Sequence, residues 1–191
     1  MTKPPLILAS NSPRRTALLK QIDLEFQVIP STVEEDFSIS LPPNEFAEHY
    51  AREKAHSVAR ENPGRLVVGA DTIVVLKNRI LGKPANEQES FEMLTLLSGR
   101  RHRVITGVSL QWISKQIDTT FSVTTEVIFR TISSEEIWYY IRNYAPFDKA
   151  GSYGIQDWFS VCVKEIHGCF YNVVGFPLSE FYQQYKKIME M

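Results

Sequence analysis

VITGVSLQWISKQIDTTFSVTTEVIFR, residues 104–130, decides the fold. Val104–Ile113 and Thr119–Arg130 are long, β-branched and aromatic, and Ser114-Lys115-Gln116 separates them, so the segment predicts an antiparallel strand pair. What precedes it has another rhythm. Pro5–Ser10 reads as a strand, Pro13–Ile22 as a helix and Phe26–Pro30 as a second strand ending at proline. An acidic loop, Glu34-Glu35-Asp36, reaches Leu41-Pro42-Pro43, and Asn44–Asn62 is a long helix stopped by Pro63-Gly64. Leu66–Ala70 is a continuous apolar run, as expected for a strand buried on both faces, and it ends in Asp71-Thr72. Ile73–Leu76 and Arg79–Leu81 flank Lys77-Asn78 as a small hairpin. Glu87–Leu97 is a helix between an Asn86 cap and Ser98-Gly99.

After the strand pair, Ser133 and Glu136 form a capping box for a helix through Tyr144. Phe159–Ile166 and Cys169–Val174 read as another hairpin around His167-Gly168, and Leu178–Met189 as a closing helix. Alternating βα units followed by long antiparallel strands indicate an α/β fold with a mixed sheet flanked by helices. A single domain over residues 1–191, in two lobes with a central groove, is expected.

Charge narrows the partners. The 191 residues carry 21 Lys+Arg against 22 Asp+Glu, a net charge of −1, so no global attraction to nucleic acid or acidic membrane exists and neither is expected as a partner. An anionic ligand must be held by a local cluster. No apolar run approaches the roughly 20 residues that span a bilayer, and the first residues lack signal-peptide features. Cys162 and Cys169 make no disulfide framework, and a reduced, cytoplasmic setting is the default. The two thiols either face each other across the expected hairpin or are simply buried. Oligomeric state is open, a homodimer being one expectation.

Three places carry charge where packing wants none. Ser12-Pro13 is a strong helix start, yet Arg14 and Arg15 follow in the first turn, where the helix dipole disfavours cations. Either both are solvated or an anion sits beside them, held by free amides and guanidinium forks. In the 44–62 helix, Phe46, Ala47, Tyr50, Ala51, Ala55, Val58 and Ala59 define one apolar arc, and Lys54 falls near its middle. A lysine so placed must snorkel outward or meet an anion. Asp71, at the expected carboxyl end of an interior strand, occupies a position where open α/β sheets place ligands, or else caps a turn.

Gly82-Lys83-Pro84 adds an isolated cation in a constrained turn but is not a Walker A motif. The four histidines have no zinc-like spacing, and no Gly-x-Ser-x-Gly elbow or dinucleotide fingerprint occurs. The cations Arg14, Arg15, Lys54 and Lys83 remain, with the carboxylates Glu34 and Asp71. Cations and carboxylates in one cleft suggest a polyphosphate held with a divalent metal.

The chain resembles the Maf (septum-formation-inhibitor-like) nucleoside triphosphate pyrophosphatases. LASNSPRR, AREKA, VVGADT, GKP, LSG, FR, DKAGSYGIQ and NVVGFPL carry the resemblance in order along nearly the whole sequence. It implies a cytoplasmic enzyme that cleaves a nucleoside triphosphate between the α and β phosphates, releasing a monophosphate and pyrophosphate. It also implies a divalent cation (Mg²⁺, Mn²⁺ or Co²⁺) and an elongated mixed sheet broadly like the inosine triphosphate pyrophosphatases. By the same resemblance, Asp71 matches the catalytic proton acceptor, and Ser10, Arg14 and Arg15 match the phosphate-side motif. Glu34, Lys54 and Lys83 match further groove positions; Glu34 is the candidate metal-side carboxylate, and Asp71 either deprotonates the water or holds the metal that does so. Arg15, Thr72 and Gln156 match positions linked to substrate choice.

The family pattern usually continues GIQG, whereas this chain reads GIQDW and places Asp157 beside the nucleobase segment. Arg14-Arg15, Thr72 and Gly154-Ile155-Gln156 resemble the subgroup that prefers dTTP and UTP over 7-methyl-GTP. The Gln156 amide offers both a donor and acceptors for the O4/N3–H edge of uracil or thymine. The alternative reading is a catalytically weak nucleotide-binding regulator of septum formation.

Overall fold

Seven strands form one mixed sheet in the computed structural model, which describes residues 6–191. Pro5, the expected start of the first strand, lies outside the described residues. The strands are β1 (Leu6–Leu8), β2 (Phe26–Val28), β3 (Val67–Leu76), β4 (Arg79–Leu81), β5 (Arg101–Trp112), β6 (Ile117–Phe129) and β7 (Val163–His167). Their order is β2-β1-β3-β5-β6-β7, with β4 also on β3. β5 and β6 pair antiparallel without interruption from Arg101↔Ile128 to Trp112↔Ile117, as the 104–130 segment predicts. β1 runs parallel to both β2 and β3, so the sheet is mixed.

The helices are α1 (Pro13–Gln21), α2 (Pro43–Ala59), α3 (Glu87–Leu97), α4 (Ser134–Tyr144), α5 (Phe170–Val174) and α6 (Leu178–Met189). Ser12 caps α1 by accepting from the Arg15 amide, Asn86 caps α3, and the Ser133–Glu136 capping box closes on α4. Among the described residues no helix is long and apolar enough to cross a membrane. Cys162 and Cys169 are free thiols, the first buried and the second partly so.

Two expectations are corrected. β3 does not stop at Asp71-Thr72 but runs on as one strand to Leu76, with Asp71 opposite Gly107 and Thr72 opposite Thr106 on β5. The polar pair can stay in the strand because each side chain meets polar partners on its own face. The expected hairpin of Phe159–Ile166 and Cys169–Val174 does not form: Trp158–Cys162 is a 3-10 turn capped by Asp157, so the strand begins only at Val163, and Phe170–Val174 is the short helix α5. A five-residue apolar run suits a buried helix as well as a strand. Asn172 explains the choice, since its amide donates to the Val104 carbonyl (3.0 Å) and to Thr125 Oγ1 (3.1 Å), bridging β5 and β6. Gly168, at φ +126°, supplies the turn out of β7.

Each face of the sheet carries two apolar clusters with polar groups between them. On the α2 face, Phe46 and Tyr50 pack on Ile73, Val75 and Ile105, while Val58 and Ala59 pack on Ile7 and Val67. On the other face, Leu18, Leu19, Phe176 and Phe181 cover Leu8, Val68 and Ala70. Leu94, Leu97, Tyr140 and Phe159 pack with Val74, Val104 and Phe129. Asp71 lies between the clusters on the first face, and Thr72, Thr106 and Asn172 on the second.

The groove follows from strand pairing. β5 lines one edge of β3 from Val67 to Val75. On the other edge β1 reaches only Val67 and Val68, and β4 only Val74 to Leu76. Between them, residues 69–73 have no strand neighbour on that side among the described residues. A groove of about 800 Å³ opens there, with Asp71 and Thr72 in its wall.

Candidate active site

Lys54 reaches the middle of the sheet because α2 lies directly on it. A Cβ on Gly69 would stand 2.5 Å from the Ala51 carbonyl oxygen and from the Ala55 amide, and one on Gly107 would stand 2.2 Å from the Ala47 carbonyl oxygen. Only glycine permits this approach. Lys54, one turn beyond Ala51, then donates from Nζ to Asp71 Oδ1 at 2.7 Å and to Glu35 Oε1. The seven apolar residues of the arc are all buried, so Lys54 sits on the inward face and meets anions rather than snorkelling.

The anions are not equivalent. Burial pushes the Asp71 carboxyl above its usual range, against the pull of Lys54. Burial also pushes Glu35 upward, but the bond to Lys54 and the charges of Lys54 and Lys83 bring it below its usual range. Asp71 Oδ2 is buried with no hydrogen-bond partner. A buried carboxylate oxygen left bare is costly and is the mark of a place for water or ligand. Glu34, expected beside Asp71, lines the groove but is exposed and has no hydrogen bond among the described residues. The carboxylate joined to Asp71 through Lys54 is Glu35.

Ser10, Arg14 and Arg15, expected on the phosphate side, lie at the head of α1. Arg15 donates from Nε to the Gly175 carbonyl (3.0 Å), from Nη1 to Ser10 Oγ (3.1 Å) and from Nη2 to Thr72 Oγ1 (3.1 Å). It is therefore a brace between β1, β3 and the end of α5, not a solvated charge. Ser10 Oγ also accepts from the Ser12 amide at 3.2 Å, which uses both of its lone pairs. Its remaining capacity is the hydroxyl proton, a donor available to a groove ligand. Thr72 Oγ1 accepts from Arg15, lies 3.0 Å from Thr106 Oγ1 and reaches the Gly175 carbonyl at 3.4 Å, while Thr106 Oγ1 donates to the Asn172 carbonyl. Thr72 thus acts on Arg15. Arg14 donates to Asp148 at 3.0 Å on the groove rim.

The opposite wall supplies Lys83, Lys149 and Gln156. Lys83 is exposed, while Lys149 donates to Asp148 Oδ1 at 2.8 Å. Lys149 is a groove cation the sequence reading passed over, although DKAGSYGIQ contains it. Gln156 is exposed and has no hydrogen bond among the described residues. All nine expected site residues line this one groove.

A family model described as Maf-like protein matches residues 5–188. The chain belongs to the Maf family. A Maf relative from Bacillus cereus, named dTTP/UTP pyrophosphatase, is 46% identical over 95% of this chain and 94% of its own. One of the same name from Halalkalibacterium halodurans is 49% identical over 92% of this chain and 91% of its own. The solved Staphylococcus aureus Ham1 protein overlaps loosely, at a TM-score of 0.42 and 15% identity over 66% of this chain and 72% of that one.

Proposed function

We propose that this Maf protein hydrolyses nucleoside triphosphates, dTTP and UTP foremost, to the monophosphate and pyrophosphate. The observation that carries the reading is Asp71, a buried carboxylate with one oxygen paired to Lys54 and the other buried without a partner in the wall of a groove rimmed by cations. Water attacks the α-phosphorus in line with the departing pyrophosphate, and Asp71 Oδ2 takes the proton of that water. Lys54 holds Asp71 in place. Arg14, Lys83 and Lys149 offset the charge on the triphosphate, while Ser10 donates its hydroxyl to a phosphate oxygen.

The donor set fits a hard divalent cation. Glu35 and Asp71 offer carboxylate oxygens around Lys54, and Glu34 lines the same groove. Among the described residues no three Asp, Glu, His or Cys side chains converge as a full cage. That matches a Mg²⁺-type ion, which keeps waters and takes substrate phosphates to complete its shell. When bound, such an ion supplies charge neutralisation on the phosphates. Glu35 would hold it together with the substrate phosphates and waters, while Asp71 Oδ2 stays the proton acceptor.

The dTTP/UTP preference rests on the names of the relatives, on intact Arg15 and Thr72, and on Gln156, which lines the groove. A buried base poised over cations favours turnover over regulation by binding alone, and a cytoplasmic setting is consistent with nucleotide substrates. The test is pyrophosphate release from dTTP, UTP, CTP, ATP, GTP and 7-methyl-GTP with Mg²⁺ or Mn²⁺. dTTP and UTP should lead. 7-methyl-GTP as best substrate contradicts the subgroup, and no cleavage of any triphosphate contradicts the whole reading.

A further inference from the structure

Asp157 has both carboxylate oxygens engaged. Oδ2 accepts from the Tyr140 hydroxyl at 2.9 Å, and Oδ1 accepts from the Phe159 amide at 3.0 Å, capping the turn over Trp158–Cys162. The same Tyr140 oxygen accepts from the Gly154 amide at 3.0 Å. One hydroxyl on α4 therefore ties down both ends of the four-residue turn 154–157. Tyr140 itself is fully buried, its ring 4.7 Å from that of Phe159.

The turn has little freedom elsewhere. Tyr153 and Ile155 are buried in different apolar clusters. Gly154 has Asp157 Oδ2 and the Lys149 side chain close beside its Cα, a Cβ there standing 2.6 Å from the first and 2.9 Å from Lys149 Cε. Gln156 is the one residue of the turn that is exposed, it lines the groove, and its amide has no hydrogen bond among the described residues. An amide can select a base edge only if its donor and acceptor are held in place, because a free amide flips to suit either pattern.

We infer that Asp157 and Tyr140 are positioning residues for base selection: their latch holds the 154–157 turn so that Gln156 presents one fixed hydrogen-bonding pattern to the nucleobase. This rests on the reading of Gln156 as the base-facing residue. Neither Asp157 nor Tyr140 touches the reacting phosphates.

The test combines Tyr140→Phe, which keeps the ring and removes the hydroxyl, with Asp157→Ala and Gln156→Ala. The readouts are the ratio of kcat/KM for UTP over CTP and amide hydrogen exchange without nucleotide. In Tyr140→Phe and Asp157→Ala the ratio should fall roughly three- to tenfold, the scale of one neutral hydrogen bond, while kcat at saturating UTP stays within about twofold. In a Gln156→Ala background, Tyr140→Phe should add nothing to the loss of selectivity. The Gly154 amide should be protected in the parent protein and lose protection in Tyr140→Phe.

An unchanged ratio in both latch variants, with Gln156→Ala lowering it, overturns the latch and leaves the Gln156 reading standing. An unchanged ratio in Gln156→Ala overturns that reading and the inference together. A Gly154 amide that exchanges in the parent protein as fast as an open loop overturns the latch whatever the enzyme cleaves.

Discussion

Lys54 Nζ donates to Asp71 Oδ1 across 2.7 Å, with side-chain exposures of only 13% and 6%, and so ties α2 to the middle of β3. Removing one partner of a buried pair leaves the other charged and alone, at a cost of about 3–5 kcal/mol. Lys54→Met should lose stability on that scale in urea unfolding. Adding Asp71→Asn should recover much of the loss, because the amide needs no counter-charge, while activity stays lost in both. Strictly additive losses would show that the pair is not coupled.

Arg15 predicts a failure of a conservative change. Its fork serves Gly175, Ser10 and Thr72 at once, and a lysine point charge cannot reproduce that geometry. Arg15→Lys should lower the melting temperature and raise KM roughly ten- to a hundredfold, the scale of a lost charge-assisted hydrogen bond. Arg14→Ala should raise KM with an unchanged melting temperature, since the half-exposed pair with Asp148 contributes little to stability. Parent-like kinetics in both variants would contradict the phosphate-side assignment.

The core contains a proton-linked residue away from the groove floor. Burial pushes His102 from 6.5 down to about 4, while its Nε2 pairs with the Tyr153 hydroxyl at 2.8 Å. The unfolded chain takes up the proton first, so stability is complete above the unfolded pKa and is lost as pH falls toward 4. The shift corresponds to about 3 kcal/mol. Urea unfolding between pH 7 and pH 4 should show this loss, and His102→Gln should reduce it by about one proton's worth of slope. An identical slope in the variant would contradict burial as the cause.

The residues differ in how far the sequence exposes them. Lys54 was legible because a helix has a phase, and a lysine inside an apolar arc violates it. Asp71 stood out as a charge inside an apolar run, although β3 continues past it because polar partners wait on both faces. Glu35 was not separated from Glu34, since an irregular loop offers no strong period. The weak signal was alternation with Val33, which packs on the α2 cluster and shares the more buried phase with Glu35. α5 was misread because a five-residue apolar run fits either state, and the bonds that fix it come from Val104 and Thr125, far away in sequence. Gln156 and Thr72 came from the family resemblance. The role of Thr72 in holding Arg15 became visible only in three dimensions.

Asp71→Asn tests most directly whether this carboxylate is the base. The change keeps size and the bond to Lys54 within reach but removes basicity. Pyrophosphate release from saturating dTTP, measured beside a thermal melt, should show a folded protein whose kcat has fallen by at least about two orders of magnitude. A folded variant with near-parental kcat would contradict the assignment of Asp71 as the proton acceptor.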